Sequence, residues 1–514
     1  MIAMSRSSRC ALLLVVALAA GCGSLSLRYR PWPQLQVDTQ ALAKRYPKAP
    51  AVVVQRTIHY RFTDEVSARF IREEYAAIAV LDDGGEQYAV VHVPIGRGTL
   101  SFLRARTRLP DGTMQDVTPE EQHDVVTRGP SALAGDDEKV KVFRLPRVHV
   151  GSIVEYSYGV EYPVVPLARA EPISSAIPVQ HYHLEFASER GFDGRVHIYN
   201  REVEIKRDRV DGTDRYYLDI ADVPAFHEEL LAPPITVTEP WWALAVSQAR
   251  NGRSVIDIDT WDKIGAGLSQ QLYLASSRLF DGVTLAPTLG TCHRNHRCAV
   301  QAALDRVNEV SDLVSFANGG NSIKPLKETL ATRKVNSFEK TLLLYRALAD
   351  VGVTAHVAFL SRSAIREADP NFPSLGRGDH AVLYIDTLSD GTEPFYVDPS
   401  CEWCALGELP EWSAGRQTQI LMRVPTGDQW HSDPTGTLRW GMTPDTRESS
   451  PNVSRQIIDA TLAVDGKVSG QIAHEMRNAA AVDMHIFRRT WSDEQWQKEG
   501  DRDLQEHSKT AQRE

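Results

Sequence analysis

Three residues with the chemistry of acyl transfer stand in order along the second half of this chain: Ser337, His380 and Asp398. A hydroxyl becomes a nucleophile when a base removes its proton, and a histidine serves best when a carboxylate orients its ring. The local sequence indicates how each would be held. From Phe338 the apolar residues Phe338, Leu342, Tyr345 and Ala349 recur at helical spacing, with Leu344 and Leu348 widening the stripe. Asn336 followed three residues later by Glu339 fits a capping box, and Gly352 closes the element. Ser337 is therefore expected at a helix N-terminus, the positive end of the helix dipole. The plainer role is that Ser337 or Asn336 merely caps the first turn. Downstream, "TAHVAFL", "HAVLYID" and "EPFYVD" read as strands. His380 opens the second and Asp398 closes the third, so antiparallel pairing would set them side by side.

Apart from Cys10 and Cys22, the cysteines are Cys292, Cys298, Cys401 and Cys404. An even number in an exported chain reads as disulfides, and four cysteines allow three pairings. A bridge from Cys401 or Cys404 to Cys292 or Cys298 would pin the loop after Asp398. "CHRNHRC" adds His293 and His296, so zinc is chemically open, but the spacing matches no standard finger and no metal is expected. Cys401, three residues past Asp398, is a displaced nucleophile only in principle, since no helix N-terminus activates it.

The elements that must position these groups belong to a long chain of ordinary globular composition. Its 514 residues suggest about three domains. With 57 Lys and Arg against 67 Asp and Glu, a net charge of -10 lacks the basic footprint that nucleic acid requires. Residues 1–21 read as an export signal: Arg6 and Arg9 precede the apolar Ala11 to Ala20 run. The "LAAGC" that follows resembles the lipobox of bacterial lipoproteins, which makes Cys22 the expected lipidation site. Gly23 and Ser24 lack the Asp of an inner-membrane retention signal, so a periplasmic protein anchored to the outer membrane is expected. No later stretch offers about eighteen uninterrupted apolar residues. After a linker over 22–49, residues 50–235 carry alternating runs such as "AVVVQRTIHYRF", "EYAAIAVL" and "GSIVEYSYGVEY", which predict an antiparallel β-sandwich. Residues 236–427 mix helical and strand patterns in an α+β domain. A linker over 428–453 leads to a β hairpin and helix over 454–490, with Asp465-Gly466 at the hairpin tip, and residues 491–514 form a polar tail.

The run "KVNSFEKTLLLYRALADVGV" resembles the signature of bacterial transglutaminase-like proteins, in which G-D-C-K-D-K precedes a leucine-rich helix. "GDHAVLYID" is similar to that family's "N-H-A" strand, and "YVDPSCEWCALGELP" to its "L-D-P-T … G-D-L-P" segment. "RLPDGTMQDVTPE", "VFRLPRVHVGSIVEYSYGVEY" and "IPVQHYHLEF" look like the domain of unknown function that commonly precedes this module in exported bacterial proteins. The resemblance implies a papain-like α+β fold, His380 as general base, Asp398 as orienting carboxylate and Ser337 in place of the nucleophilic Cys. Val335-Asn336 replaces Gly-Asp, Phe338 replaces the first Lys, Glu339 replaces Asp, and Lys340 is retained. A thiol near pKa 8.5 ionises at a helix N-terminus beside an imidazolium, whereas a hydroxyl needs concerted proton removal and an oxyanion hole. A bulky Val335 is expected to crowd a turn built for glycine. The expected protein is a pseudo-enzyme without cofactor that binds a peptide or protein segment in the periplasm. The alternatives are an active Ser-His-Asp amide or ester hydrolase or acyltransferase, and a protein whose functional part is the β-sandwich.

Overall fold

The computed structural model describes residues 31–507 except for internal stretches, of which those of seven residues or more are 63–69, 128–137, 227–234, 316–324, 423–436, 445–452 and 485–491. The export signal and Cys22 lie outside the described residues. The chain is a multidomain α+β protein in which a strand-rich N-terminal region precedes a mixed domain and a C-terminal β module.

An eight-stranded sheet dominates the first half. Edge to edge it runs Lys206–Val210, Thr213–Val223, Val179–Ser188, Ala51–Phe62, Phe70–Val80, Ile153–Tyr162, Thr99–Arg108 and Met114–Asp116. Along Ala51–Phe62 the buried Ile58, Tyr60 and Phe62 alternate with the half-buried Thr57, His59 and Arg61, because successive side chains leave opposite faces. The apolar face packs on two smaller sheets. One is four-stranded around Trp241–Asn251, with Phe192–Tyr199, Ala168–Pro172 and Ser254–Asp257; the other is three-stranded, in the order Val90–Pro94, Glu138–Arg144 and Gln122–Thr127. Between them the Tyr60 ring lies 5.3 Å from Phe70, 5.2 Å from Phe186 and 5.3 Å from Trp242.

Two details differ from the sequence reading. Ala51–Phe62 and Val179–Ser188 pair in parallel, so the large sheet is not wholly antiparallel. Trp241–Asn251 pairs with Phe192–Tyr199 and Ala168–Pro172, so the β region runs past the expected boundary at 235 to Asp257.

The mixed domain holds a five-stranded antiparallel sheet in the order Phe395–Val397, His380–Ile385, Ala355–Leu360, Gln417–Leu421 and Leu438–Met442. The last strand falls inside the stretch read as a linker. One face carries Val357, Ala381, Leu383 and Ile385 against the helices His296–Val310 and Ser337–Asp350, whose Val307, Leu344 and Leu348 fill the same core. The C-terminal hairpin pairs Val453–Leu462 with Val468–Arg477 and turns at Gly466, where φ of +84° requires a residue tolerant of the left-handed region. Most of the helix expected after the hairpin, within 454–490, lies outside the described residues. Within the polar tail Asp493–His507 is helical, and its three Glu and three Gln are good helix formers. Among the described residues no helix is long and apolar enough to cross a membrane.

Candidate functional site

The first turn of Ser337–Asp350 settles which residue caps it. Asn336 Oδ1 accepts from the Glu339 backbone N–H at 2.8 Å, and Glu339 Oε2 accepts from the Asn336 N–H at 2.9 Å. The reciprocal box is complete without the Ser337 side chain, so Ser337 is the first helical residue and not the cap. One turn on, the Thr341 hydroxyl lies 3.0 Å from the Ser337 carbonyl and 2.8 Å from that of Ala381. It thereby ties the start of this helix to the residue next to His380. Ser337 and His380 are both 0% exposed.

His380 opens its strand and Asp398 immediately follows Phe395–Val397, with Leu383 opposite Val397 in antiparallel register. That register makes the two residues diagonal neighbours on one face, and His380 Nε2 lies 2.8 Å from Asp398 Oδ2. The carboxylate is held from three further directions. Asp398 Oδ1 accepts from the Ser400 backbone N–H at 2.9 Å and from Ser400 Oγ, and Oδ2 accepts from Ser413 Oγ at 2.6 Å. Burial by itself would raise the Asp398 pKa. The charge and hydrogen bond of His380, with the hydroxyls of Ser400 and Ser413, outweigh it and hold the carboxyl at about 2.

Lys340, retained from the resembled motif, is fully buried, and its Nζ meets Glu402 Oε1 at 2.5 Å. Glu402 lies in the loop closed by the Cys401–Cys404 disulfide, so this ion pair ties the segment after Asp398 to the Ser337 helix. The other bridge is Cys292–Cys298. Both pairings are local, so no bridge joins the two cysteine pairs. Cys401 carries no thiol to act as a displaced nucleophile, and the thiolates a zinc site in "CHRNHRC" would need are consumed.

The expected crowding at Val335 does not occur. Val335 is 1% exposed in the short strand Lys334–Asn336, parallel to Asp312–Ser315, and fills the core. The left-handed residue of this turn is Arg333, with φ of 59°. Sequence reasoning also missed the groups that surround the pair. Ser400, two residues past Asp398, fits the local turn in which a carboxylate takes the N–H two residues on. Ser413 and Glu402 carried no signal at all.

Residues 67–227 match DUF3857, a domain of unknown function with a solved structure. The DUF3857 match covers most of the eight-stranded sheet and begins after Ala51–Phe62. Over 76% of its length the chain is similar in fold to a candidate protease of Parabacteroides distasonis, 71% of which is covered, with a TM-score of 0.53 and 13% identity. An M1 zinc metallopeptidase of Deinococcus radiodurans matches at a TM-score of 0.22 and 9% identity, over 41% of this chain and 47% of that one. Leukotriene A4 hydrolase of Saccharomyces cerevisiae matches at 0.22 and 8%, over 63% and 52%. Scores of 0.22 carry no argument about this fold. Among curated proteins none matches.

Proposed function

We propose that residues 258–443 form a transglutaminase-like domain whose nucleophilic position has been lost to Ser337, and that the protein is a non-catalytic binder of peptide or protein segments. The observation that carries the reading is burial: Ser337 at the start of its helix and His380, held by Asp398, are both 0% exposed, and Thr341 bridges the carbonyls of Ser337 and of Ala381, the residue after His380. A proton exchanged with Ser337 would pass through Nδ1, because Nε2 faces Asp398. A serine needs that transfer concerted with attack on a carbonyl, and the burial of Ser337 opposes the approach of one. The Lys340–Glu402 pair and the Asp398 hydrogen bonds serve in this reading to hold the fold of the former site. Fold similarity to a candidate protease is consistent with descent from a peptide-acting enzyme.

The test compares wild type with Ser337→Ala on ester and amide substrates, p-nitrophenyl acetate and casein among them. Equal background turnover is the expected result. Turnover lost in both Ser337→Ala and His380→Ala would establish the Ser-His-Asp hydrolase or acyltransferase, which the intact His380–Asp398 pair favours as second reading. We place the protein in the periplasm, on the outer membrane through acylated Cys22. Cys22→Ser should move it to the soluble fraction; retention on membranes would remove the anchor.

A further inference from the structure

The half-buried face of the eight-stranded sheet, opposite its core, holds a second cluster unrelated to Ser337. On Val179–Ser188, His183 and Glu185 are two residues apart and so share a face. On the neighbouring Ala51–Phe62, His59 is directly opposite Glu185. The donor atoms of His59, His183 and Glu185 all lie within 4.8 Å of one another. Glu185 Oε2 is 3.6 Å from His59 Nδ1 and 4.0 Å from His183 Nε2. These separations exceed a direct hydrogen bond. Against the roughly 3.4 Å between two donors on one tetrahedral zinc with bonds of about 2.1 Å, the first is about 0.2 Å and the second about 0.6 Å longer, so the donors must draw in slightly to share an ion.

A second observation is independent of that spacing. His183 Nδ1 is 2.7 Å from Asp219 Oδ1, directly across the sheet on Thr213–Val223. A carboxylate there keeps the proton on Nδ1 and turns the Nε2 lone pair towards Glu185, as outer carboxylates do for metal-bound imidazoles. The cluster opens into a cleft of about 410 Å³ lined by His59 and Glu185. We propose that His59, His183 and Glu185 bind one divalent zinc ion, oriented by Asp219 and with its remaining coordination position open to this cleft. Two imidazoles and a carboxylate with an open fourth position form a donor set suited to zinc.

The test titrates tag-free full-length protein, stripped with chelator, with Zn²⁺ by calorimetry and with Co²⁺ by visible absorption. One equivalent of Zn²⁺ should bind. Glu185→Gln and His183→Ala should weaken binding about 100-fold or more, and Asp219→Asn, on an exposed side chain, by about 10- to 100-fold. The tetrahedral Co²⁺ bands should vanish in the ligand variants, while His293→Ala and His296→Ala leave them unchanged. Unfolded ligand variants, detected by circular dichroism, leave the decision to Asp219→Asn. Binding below one equivalent, or affinity unchanged in the folded variants, would overturn the site and reduce it to surface ion pairs.

Discussion

Asp398 makes the strongest statement at the scale of single residues. A carboxyl with no exposed side-chain surface, held at about 2, contributes stability because its folded pKa lies below the roughly 3.9 of an unfolded Asp. The contribution is complete above about pH 4 and is lost as pH falls from about 4 to 2, with an upper size of about 2 kcal/mol. Asp398→Asn should therefore flatten part of the acid limb of a stability profile measured by urea unfolding. An unchanged acid limb would show that the carboxylate is not held as described. Glu74 moves in the same direction, to about 2: burial raises it, and Arg56 and Arg72 more than offset that. The limb should accordingly shrink without disappearing. The Ser413 hydroxyl donates to the same carboxylate, and Ser413→Ala should cost about 1 to 3 kcal/mol because a buried charge loses a donor.

Among the elements, the Ser337 helix tests how far local sequence specifies local structure. Asn336→Ala should destabilise the protein by about 1 kcal/mol, since it orphans backbone donors in the first turn. Ser337→Ala should cost much less, because the box closes without it; equal losses in urea unfolding would contradict the cap assignment. The box, the apolar stripe and the stop at Gly352, with φ of 76°, were all legible because their signals span fewer than twenty residues. The His380–Asp398 pairing was legible too, as a consequence of neighbouring antiparallel strands. What escaped depended on contacts distant in sequence. Glu402 reaches Lys340 across 62 positions, and Trp241–Asn251 joins a sheet whose other strands end before residue 200 or begin after 253. Arg333 in the left-handed region was hidden because a non-glycine residue there carries no sequence signal of its own. Leu438–Met442 was masked by surrounding Pro, Thr and Gly, which describe a loop better than an edge strand.

Over the whole molecule, buried charge and a compact interface join the parts. Arg72 in the eight-stranded sheet meets Glu74 Oε2 at 2.6 Å and Glu171 Oε2 at 3.4 Å, and Glu171 belongs to the facing four-stranded sheet. Tyr60 and Tyr158 complete the cluster through Arg72 and the two glutamates. Arg72→Ala removes one of the two arginines that meet each carboxylate, leaving Arg56 on Glu74 and Arg169 on Glu171, and should cost about 1 to 3 kcal/mol; near-wild-type melting of Arg72→Ala would refute the cluster. Between the β region and the mixed domain, Tyr199 donates to Asp369 Oδ2 at 2.6 Å, Arg195 to the Pro373 carbonyl at 2.9 Å, and Phe372 packs on Trp241. This segment leads directly to His380, so the docking of one region bears on the site of the other. We propose that Ser337, buried in the assembled molecule, does not act as a nucleophile. The most direct test exposes full-length wild-type protein to a serine-directed fluorophosphonate and maps adducts by mass spectrometry. No adduct at Ser337 is expected in the folded protein; an adduct there that disappears in His380→Ala would show that Ser337 is an activated nucleophile.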